Sequence, residues 1–204
     1  MPTPDNSLFD SRLFRLISLA LLLAVVVTTL GLVRPTSLPL HHDTSRDLHG
    51  ALTALNTDEG PLVGPPTSAS GIVQGGFWTV HLATVLGLGG NMDTVAMITF
   101  ALAVLALIAL ALAGSTLWEW EVGIAAALVA ASFLVAARTT WIVQWNPSLL
   151  PLPATLTLLF VIQSVRHQRL LPLALAAATL GLTLQLHPAS WILLPLVAWT
   201  AWSH

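Results

Sequence analysis

Residues 94–112 have the sequence TVAMITFALAVLALIALAL, an apolar run without a charged side chain. A helix needs about 20 such residues to cross the hydrocarbon core of a bilayer, so this run predicts a membrane span. Similar runs elsewhere predict an all-α fold, a polytopic transmembrane bundle of about six spans. The predicted spans are Leu13–Val33, Thr94–Leu112, Val122–Ala137, Leu149–Val165, Leu170–Leu186 and Ala189–His204.

The overall composition agrees with a membrane protein. Hydrophobic residues make up 55% of the chain and charged residues 8%. Soluble domains carry about 25% charged residues, so a soluble globule could not cover its surface with this composition. The chain contains no cysteine, which excludes disulfides and cysteine-based metal sites. A net charge of −2 without lysine offers no basic patch, so we expect the lipid bilayer and no nucleic acid as a partner.

Arginine positions predict the orientation of the spans. Arg12 and Arg15 precede the first span, and cytoplasmic flanks are enriched in arginine. Counting alternate crossings puts Arg166 and Arg169 on the same side, provided that the short apolar segment Gly76–Leu88 is an interfacial helix and not a span. The sequence therefore predicts an integral membrane protein with its N-terminus inside. We expect the bacterial inner membrane as its location.

Four regions follow from this topology. We expect a cytoplasmic N-terminus over residues 1–12 and a first transmembrane helix over 13–33. Residues 34–93 would form a long extracytoplasmic loop that carries interfacial helices. Residues 94–204 would hold spans two to six, and the last of these stops at its far interface, which favours the N-terminal part of a longer protein.

The outer loop holds the most informative polar cluster. Asp43 and Asp47 are four residues apart, with Arg46 between them, and helical spacing places them on one face. Two like charges at this distance raise at least one carboxyl pKa, and a carboxylate tuned in this way can act as a general base. The same pattern also fits a solvated helix start in which Asp47 pairs with a neighbouring arginine.

Other polar residues are weaker candidates. His42 belongs to a run of histidines and an aspartate that could bind a divalent metal, but adjacent histidines do not form a clean helical ligand pair. We therefore predict no metal site and no required cofactor. Asp58 and Glu59 precede Gly-Pro and fit a turn. Arg138 ends an apolar run on the outer side, where it could snorkel to headgroups or bind a phosphate.

In this order the motifs resemble polytopic glycosyltransferases of the GT-C class, in particular the family of protein O-mannosyltransferases and lipid A aminoarabinose transferases. The resemblance covers nearly the whole chain as a layout of short motifs, although the acidic motif is not the family's usual Asp-Glu pair. The segments that carry it are Asp43 with Arg46-Asp47, Gly64-Pro65-Pro66, Gln74-Gly75-Gly76-Phe77-Trp78, Leu88-Gly89-Gly90-Asn91 and Arg138 to Ser148.

The resemblance implies transfer of a sugar from a polyprenyl-phosphate donor to an extracytoplasmic acceptor, which could be a lipid, a glycan or a protein. By the same analogy Asp43 would deprotonate the acceptor hydroxyl, and Asp47 would position the acceptor or tune Asp43. Arg138, together with Arg46, would hold the phosphate of the lipid-linked donor as it leaves.

Two alternatives to an active enzyme stay open at this point. One is a non-catalytic membrane subunit or a transporter fragment, although transporters tend to carry polar groups at the membrane midplane. The predicted spans are nearly free of such groups, with Gln163 and Gln185 near their ends. The other alternative is a truncated pseudo-enzyme.

Overall fold

A computed structural model of the chain describes residues 42–57, 63–66, 73–136 and 146–204, together with Ile17, Ala20, Leu21 and Ala24. This part is mostly helical. Its α-helices are α1 His42–Asn56, α2 Phe77–Gly87, α3 Met92–Leu117, α4 Trp120–Ala136, α5 Pro151–His167, α6 Leu170–Leu186 and α7 Leu194–Trp202. The four isolated residues are helical, and the rest of the predicted first span lies outside the described residues.

Two helical segments are long and apolar enough to cross a membrane, namely Met92–Leu117 and Pro147–His167. The second consists of a 3-10 turn, Asn146–Leu149, followed by α5. Helix α3 extends beyond the predicted span at both ends. Its start is fixed by a capping box in which the Asn91 side chain accepts a hydrogen bond of 3.0 Å from the Thr94 backbone N–H.

The remaining apolar helices are shorter than a full span. Helix α6 has the bounds predicted from sequence, and α4 nearly so, but each has 17 residues. In the region of the predicted sixth span, a 3-10 turn, Pro188–Leu193, leads directly into the nine-residue helix α7, and the apolar stretch Pro188–Trp202 is shorter than a full span. Pro195 lies in the first turn of α7, where its missing N–H costs nothing, whereas within one continuous helix it would remove a hydrogen bond.

A small hairpin departs from the all-α expectation for the outer loop. Strands β1, Val63–Pro66, and β2, Val73–Gly75, pair antiparallel. Strand β2 lies against the C-terminal end of α6, where a Cβ on Gly75 would come within 2.6 Å of the Gln185 Cβ. Glycine at this position therefore permits the close approach of the hairpin to α6.

Successive helices from α3 to α6 alternate in direction, and contacts join α3 to α4, α3 to α5 and α5 to α6. At the turn between α3 and α4, Gly114 and Gly123 bring the two backbones together, because a Cβ on Gly114 would lie 2.7 Å from the Gly123 Cα. Helix α3 also packs along α5, with Ala109 and Ala113 against Leu159. A hydrogen bond of 2.9 Å between the Thr157 and Thr179 hydroxyls joins α5 to α6.

These contacts define two ends of the bundle. At the loop end, the starts of α3 and α5 meet the end of α6 beneath α1 and α2, around a core of Ala51, Trp78, Leu82, Val85, Val95, Leu149 and Leu186. At the turn end lie the α3–α4 turn and the α5–α6 turn. Helix α3 is roughly 39 Å long at 1.5 Å per residue, so the two ends are separated by a bilayer's thickness.

Helix α1 buries a face of small and polar residues. Its buried residues are Thr44, Asp47 and Ala51, whereas Leu52 and Leu55 on the leucine face are 44% exposed. Close packing of α1 on α2 explains this choice, since the position of a Cβ on Gly50 lies only 3.6 Å from the Thr79 methyl carbon. The small and polar side of α1 therefore faces the protein, whereas Leu52 and Leu55 lie on the outside.

Candidate functional site

The acidic cluster at the start of α1 is held together by one guanidinium. The Arg46 NH1 nitrogen lies 2.9 Å from the Asp43 Oδ1 oxygen. The Nε and NH2 groups of Arg46 donate hydrogen bonds of 3.0 and 2.8 Å to the Asp47 Oδ1 oxygen. Helical spacing of three residues places Asp43 next to Arg46, and adjacency in the chain does the same for Asp47. One cation therefore bridges two carboxylates on one side of the helix.

The two carboxylates differ in their access to solvent. The Asp43 side chain is 29% exposed, while the Asp47 side chain is fully buried. Burial raises the pKa of Asp47, and the hydrogen bond and charge of Arg46 offset this only in part. The Asp47 Oδ2 oxygen is buried and has no hydrogen-bond partner within the described part of the chain. Asp43 is thus the carboxylate that a substrate can reach, and Asp47 lies behind it.

Helix α2 covers Asp47 with Trp78, which is fully buried. The Trp78 indole lowers the pKa of Asp47 slightly, although its Nε1 and the Asp47 Oδ2 do not reach full hydrogen-bond geometry. On its other side Trp78 stacks on His81, with ring centroids 5.6 Å apart and planes 27° from parallel. The ring of Trp78 therefore connects the acidic cluster to His81.

His81 has an apolar environment. Burial lowers the pKa of its imidazole, because the charged form loses its hydration. Its Nε2 atom is buried and finds no partner among the described residues. A neutral imidazole with one free nitrogen can accept or donate a single hydrogen bond, depending on its tautomer.

An apolar cavity of about 170 Å³ lies next to His81 at the loop end, between α2, α3, α5 and α6. Its walls include Phe77, Leu102, Leu149 and Leu156. Thr179 also lines it, but the Thr179 hydroxyl is already engaged with Thr157 and with backbone carbonyls of α6. The cavity can therefore hold an apolar group, with His81 as its available polar contact.

The structure locates some of the predicted site residues. Asp43, Arg46 and Asp47 lie together as described, and Arg46 directs its donors at carboxylates. His42 is 90% exposed at its side chain, with its Nδ1 atom 3.9 Å from the Asp43 Oδ1 oxygen. The other predicted residues, Arg138, Asp58 and Glu59, lie outside the described residues.

Two members of this site did not emerge as candidates from the sequence. Trp78 and His81 are spaced three residues apart on a short apolar helix, which places them on one face. That spacing was the available signal, but the contact of Trp78 with Asp47 depends on the packing of α1 against α2. Within the described residues no group of three histidines or acids could hold a metal ion.

Comparison with known proteins adds no relative. No family model, curated protein or solved structure matches the chain.

Proposed function

We propose that the chain belongs to a GT-C type membrane glycosyltransferase that moves a sugar from a polyprenyl-phosphate donor to an acceptor outside the cytoplasm. The observation that carries the proposal is that an accessible carboxylate, Asp43, and an apolar cavity lined by His81 lie at the same end of the bundle. A lipid-linked donor needs both an apolar surface for its chain and a polar site for its reacting head.

The proposed fold places this site at the outer surface of a bundle of about six spans. The two helices of spanning length support the membrane assignment. The long intervals between the polar ends of the bundle are free of Asp, Glu, Lys and Arg, for example 94–118 and 170–186. In the proposed topology, in a bacterial inner membrane, the loop end is extracytoplasmic, and Arg166 and Arg169 lie inside, in agreement with the arginine preference of cytoplasmic flanks.

In the proposed reaction Asp43 accepts the proton of the acceptor hydroxyl. The acceptor oxygen then forms a bond to the anomeric carbon, and the bond between that carbon and the donor phosphate oxygen breaks. The electron pair leaves on the polyprenyl phosphate. Arg46 bridges Asp43 to the buried Asp47 and so positions the base, while Arg138 would hold the leaving phosphate by analogy with the family.

Asp43→Asn tests this role directly. The chain is reconstituted in liposomes with polyprenyl-phosphate donors carrying labelled hexoses and pentoses, and transfer to acceptor is measured. Loss of a general base should lower the rate by about 10²–10⁴-fold. Asp93→Asn is the matched control, because Asp93 is a carboxylate in the first turn of α3 outside the Arg46 network. Full activity of Asp43→Asn, or no transfer by the parent chain from any donor, would reject the proposal.

A second candidate is a non-catalytic membrane subunit. The pairing of Arg46 with both carboxylates favours it, since such a network can serve to dock α1 on α2. The two functions differ in one measurement. A structural network predicts that Asp43→Asn lowers the thermal stability of the protein, whereas a catalytic base predicts lost transfer at unchanged stability.

A further inference from the structure

A second cleft lies at the turn end, on the opposite side of the bundle from the acidic cluster. It has a volume of about 430 Å³ and lies between the C-terminal ends of α3 and α5. This volume falls within the range of about 300–1,000 Å³ that is usual for small-molecule sites. Its apolar wall is formed by Leu117, Val161, Ile162 and Val165, with Thr116, Trp118 and Arg166 at its polar side.

Arg166 is the cation of this cleft. Its NH1 group donates to the Thr116 backbone carbonyl, one of the carbonyls that the end of α3 leaves without a helical partner. Within the described residues it forms no ion pair, although Glu119 and Glu121 lie at the same end of the bundle. One hydrogen bond leaves most of the five guanidinium donors available, and they suit a phosphate group.

The surroundings of the cleft favour a membrane lipid over a soluble anion. Trp118 at its rim is 67% exposed, and Leu170 and Leu171 just beyond the Arg166–Arg169 turn are each 70% exposed. Apolar side chains this exposed at the end of a spanning helix fit the boundary between headgroups and acyl chains, which is also where tryptophan concentrates. Basic pockets between helices at the cytoplasmic side are typical sites for anionic headgroups.

We propose that this cleft binds an anionic phospholipid, with the phosphate on Arg166 and the start of an acyl chain against Leu117, Ile162 and Val165. The proposal rests on α3 and α5 crossing the membrane with the turn end at the cytoplasmic side, as in the proposed topology, and not on sugar transfer. Failure of the transferase assay would therefore leave it standing.

The test measures lipids retained by the purified full chain with native mass spectrometry, after incubation with dioleoyl phosphatidylglycerol or dioleoyl phosphatidylcholine. We expect retention of phosphatidylglycerol over phosphatidylcholine, and a loss of about tenfold in Arg166→Gln, as for a hydrogen bond to a charged group. Arg169→Gln removes the same charge from the same turn but lies outside the cleft, and it should retain the lipid.

A second variant separates lipid binding from the cap that Arg166 provides to α3. Ile162→Phe fills the cleft and keeps Arg166, so it should also lose the lipid while the helical signal in circular dichroism is unchanged. Equal retention of phosphatidylcholine, or equal losses in Arg166→Gln and Arg169→Gln, would overturn the proposal. Displacement of the lipid by inorganic phosphate alone would also overturn it, since the ligand would then be a free anion.

Discussion

Arg46 at the loop end and Arg166 at the turn end are the same residue type in opposite situations. Arg46 is enclosed between two carboxylates, one of them fully buried, so its charge is used within the protein. Arg166 donates to one backbone carbonyl and has no ion pair within the described residues. The pairing of a cation, more than its presence in a motif, decides whether it can receive an anionic ligand.

The same contrast applies to the tryptophans and histidines of the two ends. Trp78 and His81 are packed between α1 and the apolar cavity, whereas Trp118 and His167 are exposed. At the loop end these side chains are therefore packed inside the protein, whereas at the turn end they lie on an open surface. Matched substitutions at the two ends test this difference.

Trp78→Ala should have the greatest effect on stability. It removes a fully buried indole that covers Asp47 and stacks on His81, and such truncations cost roughly 3–5 kcal/mol. Trp118→Ala removes the same side chain from an exposed position and should change the free energy of unfolding by less than about 0.5 kcal/mol. Thermal unfolding in detergent, followed by circular dichroism, measures both. Equal losses of stability in the two variants would contradict the packing of Trp78 in the interior of the loop end.

Arg46→Met should have the next largest effect on the free energy of unfolding. It leaves two carboxylates without their cation, and one of them is buried. Removing one partner of a buried ion pair destabilises a protein by about 3 kcal/mol at the lower end of the usual range. We expect the lower end here, because the Arg46 side chain is itself 35% exposed. Arg166→Met removes one exposed hydrogen bond and should cost about 1 kcal/mol or less.

The double variant Arg46→Met with Asp47→Asn provides a control, because it neutralises the buried carboxylate along with its cation. It should recover part of the stability that Arg46→Met loses, as measured by the same thermal unfolding. If the double variant were less stable than Arg46→Met, the unpaired charge of Asp47 would not be the cause of the destabilisation in Arg46→Met.

Helix α6 shows what the sequence can predict. Its bounds match the prediction at both ends. Charged residues precede the uninterrupted apolar run and His187-Pro188 follows it, so these flanking residues define both ends of the helix. The predicted sixth span corresponds to an apolar helical stretch that begins as a 3-10 turn, Pro188–Leu193, and continues as α7. Apolar composition shows where a helical stretch lies, but it does not show where proline changes the backbone hydrogen bonding.

The site was partly predictable for a related reason. Asp43, Arg46 and Asp47 come together through spacing within one helix, which the sequence shows. Their contact with Trp78 does not follow from spacing, because it depends on which face of α1 is buried. The small and polar face of α1 packs on α2, while Leu52 and Leu55 are exposed. The apolarity of a helix face therefore does not by itself identify the face that is buried.

The smallest of these expected effects is the pH dependence of stability, which compares His81 at the loop end with His167 at the turn end. Burial lowers the pKa of His81 below its ordinary value of 6.5, so the folded protein holds it neutral while the unfolded chain binds a proton more readily. Between the lowered pKa and 6.5, stability therefore rises with pH, and it is lost as the pH falls through this window. Asp47 contributes with the opposite sign, because its pKa is raised and ionisation of the buried carboxyl becomes costly as the pH increases above the ordinary aspartate pKa.

Thermal unfolding from pH 7.5 to pH 5 should thus show a loss of stability that disappears in His81→Gln and persists in His167→Gln, whose side chain is exposed. The same pH dependence in all three proteins would mean that the imidazole beside the cavity is hydrated, and the cavity would then be no apolar site.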